Sequence, residues 1–161
     1  MDKINIIKTE TEELLKKMID QFEVEVSENE DVYQVIIKVD EEAPTVIGRH
    51  GETIRAIQKI LEVILYKKFN QAVKLLVNVN DYREKQRAKL EEMAAQISDQ
   101  VLASKEPSQL SDLSSYERKI IHEFVTANYP QLNSYSVGEG RERKLVIDLK
   151  KEDESTKSST S

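Results

Sequence analysis

The sequence predicts an α+β fold divided into two small domains. Apolar residues recur at helical spacing in several stretches, and between these stretches lie short segments in which apolar and polar residues alternate, as they do in half-buried strands. Helices and strands are interspersed in both halves of the chain, which is typical of mixed architectures. A length of 161 residues is enough for two modest hydrophobic cores.

The first half of the chain predicts the order α-β-β-(short α)-α-β. Thr9 and Glu12 have the spacing of a capping box, and the apolar residues that follow predict a helix over residues 9–21. Alternation predicts a strand over residues 22–26, a polar turn over 28–31 and a more apolar strand over 32–39. After a break at Pro44, an apolar stripe predicts a helix that ends near Lys68, and strict alternation predicts a strand over residues 71–79.

The second half predicts two helices followed by a hairpin. Asp81 is a candidate N-cap, and the helix that follows it has an apolar seam and ends before Pro107. Ser114 and Glu117 have the spacing of a second capping box, which predicts that another helix begins there. Residues 132–149 predict a hairpin that turns at the Gly-Glu-Gly segment. We therefore expect domains over residues 1–80 and 81–149, and a disordered tail over 150–161 that contains no apolar residue.

Composition excludes several classes of function. The chain has no cysteine, which excludes disulfides, thiolate nucleophiles and zinc-thiolate sites. The two histidines have no clustered ligands or fixed nucleophile around them, so we expect no catalytic residues, no metal and no cofactor. A signal peptide and an apolar run of about 18 residues are also missing, which predicts a cytoplasmic protein without membrane insertion.

Charge is unevenly distributed along the chain. The formal net charge is −6, which by itself disfavours a polyanionic partner. Residues 48–90, however, hold ten basic and four acidic side chains, whereas residues 1–47 hold five basic and thirteen acidic ones. The basic block begins at a glycine loop, Gly48-Arg49-His50-Gly51, so the loop is the first place to look for an anion site.

The glycine loop combines backbone freedom with positive charge. Glycines three residues apart permit torsions that a Cβ atom disfavours and allow a ligand to approach the backbone closely. The second glycine precedes a helix, whose first N–H groups and dipole favour a phosphate. The simpler alternative is a helix-start turn with a solvated arginine. No G-K-[ST] follows, so the loop is not a nucleotide-binding P-loop.

The segment Val-Ile-Gly-Arg-His-Gly-Glu-Thr-Ile, within this order of strands and helices, resembles a bacterial-type KH domain. The resemblance implies an α-β-β-α-α-β unit with a three-stranded sheet and helices on one face. It implies that the four loop residues face nucleic-acid phosphates and that Val46, Ile47 and Ile54 line or underlie an apolar groove for bases. We also expect Arg55, which lies off the apolar stripe of the following helix, to contact nucleic acid.

A second nucleic-acid signature lies downstream. Arg118 and His122 are four residues apart, so they project from one face of the predicted helix. With the capping segment before them and the hairpin after them, they resemble the domain named for its arginine, three spacers and histidine, which binds single-stranded nucleic acid. We call it the R-x-x-x-H domain and expect an α/β unit with a small sheet and two helices. By resemblance, Arg118 and His122 are its signature residues, and Arg141 and Arg143 contact phosphates nearby.

A KH unit followed by an R-x-x-x-H domain resembles the Jag family, also called KhpB, of bacterial RNA-binding proteins. The resemblance implies a non-enzymatic RNA chaperone or post-transcriptional regulator that affects cell-wall growth and cell length. The implied partners are RNA and the small single-KH protein KhpA. A homodimer with a second copy of the chain is a separate expectation. Longer members carry a further N-terminal domain, which we expect this chain to lack.

Several alternatives remain open from the sequence. The target is RNA or single-stranded DNA, because neither motif visibly contacts a 2′-hydroxyl group. A third possibility is a protein–protein adaptor that uses the KH fold for docking. Alternating basic residues over 83–89 form a solvated surface or follow phosphates, and Tyr82, Tyr116 and Tyr135 either stack on bases or pack in the cores.

Overall fold

The computed structural model describes residues 2–151, and most of the predicted disordered tail, residues 152–161, lies outside the described residues. Contacts divide the chain into two units, Met1–Lys85 and Gln86–Ser161. No helix in the described part is long and apolar enough to cross a membrane. Each unit has its own sheet and core, so the predicted α+β fold of two small domains is confirmed.

The first unit has the predicted order of elements. Its helices and strands are α1 (Lys3–Leu15), β1 (Glu23–Asn29), β2 (Val32–Lys38), α2 (Ala43–Ile47), a 3-10 turn (Arg49–Gly51), α3 (Glu52–Phe69) and β3 (Lys74–Val79). The sheet order is β1-β2-β3, with β1 antiparallel and β3 parallel to β2. In register, Val24 pairs with Ile37 and Ile37 with Val79, and all three are buried on one sheet face with Ile57 and Leu61 of α3.

The predicted start of the first helix at Thr9 is wrong. Asp2 is the N-cap, because its side chain accepts the N–H of Ile4 at 3.3 Å, and the helix ends at Leu15 instead of continuing to residue 21. Thr9 lies inside the helix, where its hydroxyl donates to the carbonyl of Asn5 at 2.9 Å. The Thr-x-x-Glu pattern is therefore not a capping box here, because the threonine hydroxyl bonds to a carbonyl in the preceding helical turn.

The turn between β1 and β2 is tighter than the sequence predicted. Only Glu30 and Asp31 separate the strands, and both have positive φ, at 49° and 62°. A two-residue hairpin turn of type I′ requires positive φ at both residues, and this turn matches the right-handed twist of the strands that it joins. Residues 28 and 29 consequently belong to β1, not to the turn.

The second unit contains most of α4 (Tyr82–Ser104), then β4 (Ser108–Leu110), α5 (Ser115–Asn128), β5 (Leu132–Val137), a 3-10 turn (Gly140–Glu142) and β6 (Lys144–Leu149). The predicted hairpin is confirmed as β5 and β6, which pair antiparallel. Strand β4 was not predicted; it adds three residues to the other edge of β6, giving the order β4-β6-β5. Both helices pack on the resulting sheet through a core that includes Leu90, Ile121 and Ile147.

Candidate nucleic-acid interface

The first glycine of the loop occupies a position where any side chain would be strained and would force its neighbours to move. Helix α2 ends at Ile47, and Gly48 turns the chain with φ 71° and ψ 175°. A Cβ atom on Gly48 would lie 2.2 Å from Oγ1 and 2.8 Å from the backbone N of Thr53, in the first turn of α3. The chain therefore approaches the start of α3 more closely than any side chain would allow.

The other half of the loop is held by its neighbours. His50 and Gly51 both adopt left-handed torsions, with φ of 55° and 75°, and the Gly51 N–H donates to the Gly48 carbonyl at 3.3 Å. Arg55 donates from Nη1 to the His50 carbonyl at 2.8 Å. A Cβ on Gly51 would lie 3.1 Å from Cε1 of Tyr82, so this tyrosine ring lies against the loop. The loop is thus fixed before any ligand binds.

The fixed loop presents positive charge at a helix start. Arg49 is exposed, and α3 runs for 18 residues from Glu52, so the positive end of its dipole lies at the loop. Gly51, the N-cap of α3, has no side chain to occupy the first N–H groups. Glu52 in the first turn opposes part of this positive field. The arrangement suits an anion near the N-terminus of α3.

The three predicted groove residues differ in how deeply they are buried. Val46 and Ile54 are buried in the core of the first unit, with relative exposures of 0% and 2%. Ile47 is partly buried and packs at the edge of that core. Val46 and Ile54 therefore underlie the surface beside the loop, and Ile47 is the accessible member of the set. Their contact with bases remains a prediction.

The second predicted site forms a cleft of about 580 Å³ between α5 and one edge of the second sheet. Arg118 and His122 lie on its helical wall, and strand β5 provides the opposite wall. Arg143 also lines the cleft, whereas Arg141, in the 3-10 turn, is not among its lining residues. The structure thus brings three of the four predicted residues of this domain together.

Arg118 is held in place by the start of its own helix. Ser114 and Glu117 form the predicted capping box, with the Ser114 N–H donating to Glu117 at 2.7 Å and the Glu117 N–H donating to the Ser114 hydroxyl at 3.2 Å. The Arg118 guanidinium donates from Nη1 to the Leu113 carbonyl at 2.7 Å and from Nη2 to the Ser115 hydroxyl at 3.2 Å. A guanidinium carries five N–H groups, so these contacts orient it and leave capacity for an anion.

Sequence reasoning missed part of this cleft. Ser115 and Lys119 lie on the same wall as Arg118 and His122, and a signal could have found them, because Ser115 is three residues before Arg118 and Lys119 is three residues before His122. Ser134 and Ser136 line the strand wall, and their period of two marks one face of β5. No acidic residue is among the nine that line the cleft. Its local charge is therefore positive within an acidic protein.

The alternating basic residues at the start of α4 mostly have structural partners. Arg83 donates from Nε to the Val77 carbonyl at 2.7 Å, and Arg87 donates to Glu91 at 3.0 Å in an i,i+4 pair. Lys85 lies 3.3 Å from Asp81. These contacts favour the interpretation of a solvated, internally paired surface over that of a phosphate-tracking one.

The three tyrosines divide between packing and exposure. Tyr82 and Tyr116 are partly buried against the cores of the first and second units, respectively. Tyr135 is 42% exposed, although part of the residue lines the cleft. Core packing thus accounts for two of the three.

Comparison with known proteins assigns both domains. A profile of the KhpA/KhpB KH domain matches residues 8–77, and a profile of the R-x-x-x-H domain defined above matches residues 88–149. The chain is of the KhpB type, with these two domains in order. Members of both domain families are non-enzymatic, which bears out the expectation that this chain is not an enzyme.

Three curated relatives are each named RNA-binding protein KhpB. The Bacillus subtilis protein is 37% identical over 113 residues, which cover 69% of this chain and 54% of the relative. The Streptococcus pneumoniae protein is 28% identical over 148 residues, which cover 90% of this chain and 45% of the relative. The Clostridium symbiosum protein is 30% identical over 129 residues, which cover 80% of this chain and 57% of the relative. The chain spans about half the length of these KhpB relatives.

Proposed function

We propose that this chain binds single-stranded RNA through two anion sites, the glycine loop of the KH domain and the cleft of the R-x-x-x-H domain. The observation that carries the proposal is the loop. Its glycine torsions bring the backbone against the start of α3, and Arg49 is exposed there. The name of the relatives, RNA-binding protein KhpB, supports the same activity.

Two sites on one chain suit a long, flexible ligand. Each site offers few charged groups, so each alone binds weakly at physiological salt. When a strand engages one site, the other binds it at the effective concentration set by the chain between them. We therefore expect affinity to rise steeply once the RNA is long enough to reach both sites.

The loop is tested with fluorescently labelled single-stranded RNA, by anisotropy over a range of salt concentrations. We expect the Arg49→Asp, His50→Asp double variant to bind more weakly and to show a shallower salt dependence, since each lost phosphate contact reduces the slope by about 0.7 for a single strand. The single variant Arg49→Asp is measured as well, with Lys17→Asp as its control, because Lys17 is exposed beyond the end of α1 and the two substitutions change the charge equally. Unchanged affinity and slope in a folded double variant would exclude the loop.

The cleft is tested independently with Arg118→Ala and His122→Ala. Weaker binding with an unchanged thermal transition supports direct contact. Loss of binding that accompanies unfolding assigns the two residues to structure instead.

The proposal extends to the cellular role that the family resemblance implies. This role is RNA chaperoning or post-transcriptional regulation in the cytoplasm, with effects on cell-wall growth and cell length. The test is complementation of a deletion strain, with cell length and bound RNA measured together. A loop variant that restores normal length without binding RNA would separate the two functions.

Single-stranded DNA is the alternative ligand. Competition between RNA and DNA of one sequence decides between them. Equal affinity would broaden the proposal to single-stranded nucleic acid in general.

A docking function is favoured by a second observation, on the outer face of α3. Ile60, Val63 and Tyr66 are 46%, 59% and 59% exposed, on the side of the helix opposite the buried Ile57 and Leu61. Adjacent exposed apolar side chains of this size often mark a protein interface. The occupant we propose is another KH-type chain, either the small single-KH protein KhpA or a second copy in a homodimer.

The docking proposal is tested by the mass of the complex in sedimentation equilibrium. We expect Val63→Asp to dissociate a complex with KhpA, or a homodimer, while the Arg49→Asp, His50→Asp variant keeps it. Complexes that survive Val63→Asp would place the interface elsewhere.

A further inference from the structure

Ser134, in the cleft of the R-x-x-x-H domain, has a buried hydroxyl group without a partner. Its relative exposure is 5%, and no atom within residues 2–151 hydrogen-bonds to its Oγ. The large majority of buried polar side-chain atoms are hydrogen-bonded, because desolvation without a partner costs stability. This hydroxyl therefore requires an explanation.

The position of Ser134 suggests one. Ser134 lies on the face of β5 that packs toward α5, since Leu132, two residues earlier, belongs to the core with Ile121 and Val125. It contributes to the wall of the cleft opposite Arg118 and His122. Ser134 therefore lines the cleft, and because less than 1 Å² of its Oγ is accessible, rotation about χ1 brings the hydroxyl to a ligand there.

The charge of the cleft identifies the chemistry of its ligand. Arg118, Lys119 and Arg143 contribute to the walls, and Asp and Glu are absent from its lining residues. Within that field an anionic acceptor is favoured over a donor or an apolar group. Serine hydroxyls are among the side-chain groups that donate to nucleic-acid phosphates.

We infer that Ser134 is a nucleic-acid-binding residue whose hydroxyl donates to a non-bridging phosphate oxygen of the strand held by Arg118. The inference rests on the proposed function and adds a residue to it from the strand wall. The phosphate would then be contacted by cations of α5 on one wall of the cleft and by a hydroxyl of β5 on the other. The stability lost by burying an unpartnered hydroxyl in the free protein is then recovered on binding.

The chain contains a matched control for this inference. Ser98 of α4 is buried as well, with a relative exposure of 0%, and its Oγ also has no hydrogen-bond partner among the described residues. Unlike Ser134, it is not among the residues that line the cleft. Alanine at either position removes one unpartnered buried hydroxyl, but only alanine at 134 removes it from the cleft.

The experiment compares the full chain with Ser134→Ala and Ser98→Ala, using labelled ten-nucleotide oligo(U) RNA and the DNA of the same sequence. We expect both variants to melt at or above the temperature of the unaltered chain. We expect Ser134→Ala to bind both oligonucleotides about tenfold more weakly, as for loss of a hydrogen bond to a charged group, and Ser98→Ala to bind them normally.

Each other outcome overturns a specific statement. If the unaltered chain binds neither oligonucleotide, the proposed function fails and the inference fails with it. If the chain binds but Ser134→Ala binds equally well, only the inference fails. If Ser134→Ala weakens RNA but not DNA, the contact is to the 2′-hydroxyl and the phosphate assignment is wrong. A lowered melting temperature for Ser134→Ala alone would make the serine structural.

Discussion

Replacing Gly48 by alanine is the most direct test of how the loop is built. The torsions φ 71° and ψ 175° belong to a region essentially restricted to glycine, where another residue costs about 1–3 kcal/mol. The new Cβ would also lie 2.2 Å and 2.8 Å from Oγ1 and the backbone N of Thr53. Because relieving the second contact moves the first turn of α3, we expect a total loss of about 3 kcal/mol or more in the stability of the KH domain.

Gly51 and Gly140 provide the comparison. Gly51 has φ 75° and ψ 18°, a left-handed position that costs alanine about 1–2 kcal/mol, and its Cβ would meet the movable ring of Tyr82 at 3.1 Å. Gly140 has φ 60° with no heavy atom within 4 Å of the added Cβ, so only the torsional cost applies. We therefore expect the losses to decrease in the order Gly48, Gly51, Gly140.

Native-state hydrogen exchange measures these losses domain by domain. The slowly exchanging amides of β2 and β3 report on the KH domain, and those of β6 report on the R-x-x-x-H domain, so a single global transition is not assumed. Adding Thr53→Ala to Gly48→Ala should restore only part of the stability, because the contact to the backbone N remains. A Gly48→Ala variant no less stable than Gly51→Ala, or one fully rescued by Thr53→Ala, would refute the steric explanation.

Three further experiments test contacts within the two domains. Ser114→Ala removes the N-cap of α5 and should cost about 1 kcal/mol and weaken RNA binding by the cleft, as measured by hydrogen exchange and anisotropy. The side-chain amide of Asn80 hydrogen-bonds to both the N–H and the carbonyl of Val39, and Asn80 itself has a φ of 51°. Asn80→Ala should therefore destabilise the KH domain by about 2 kcal/mol in the same exchange measurement. Asn80→Gly should cost roughly 1 kcal/mol less, because glycine adopts a positive φ readily. The Gln58 side chain accepts hydrogen bonds from the Val77 N–H and from Arg83. A double-mutant cycle of Gln58→Ala and Arg83→Ala should therefore give a coupling free energy of about 0.5–1.5 kcal/mol. If the two losses of stability simply add, the two side chains act independently.

The sequence was most informative where a pattern has one physical solution. Strict alternation over Leu75, Val77 and Val79 placed β3, because only a strand buries every second residue. The Ser114–Glu117 box fixed the start of α5 to the residue, since both reciprocal hydrogen bonds form. Arg118 and His122 then had to share one face, which is why part of the helical wall of the cleft could be predicted.

The errors arose where a short pattern has more than one solution or where pairing depends on distant residues. Thr9 and Glu12 match a capping box, but the threonine also fits inside a helix, bonded to a carbonyl four residues earlier. Strand β4 is three residues long and exists only because β6 offers a free edge. The period of two places Ser134 and Ser136 on one face of β5, but the sequence cannot show that the Ser134 hydroxyl has no partner among the described residues of the folded domain.

The structure also changes what the basic block of residues 48–90 means. Arg55 donates to the loop carbonyl of His50, Arg83 donates to a strand carbonyl, and Arg87 pairs with Glu91, so much of the block's positive charge is used to hold the fold. Summed charge therefore overstates the positive charge that the KH domain can offer a ligand, and within the loop itself Arg49 is exposed. A site with so few available charges has a shallow salt dependence and a low intrinsic affinity. For an acidic chain of this kind, tight binding requires a second site, and the cleft around Arg118 provides a candidate.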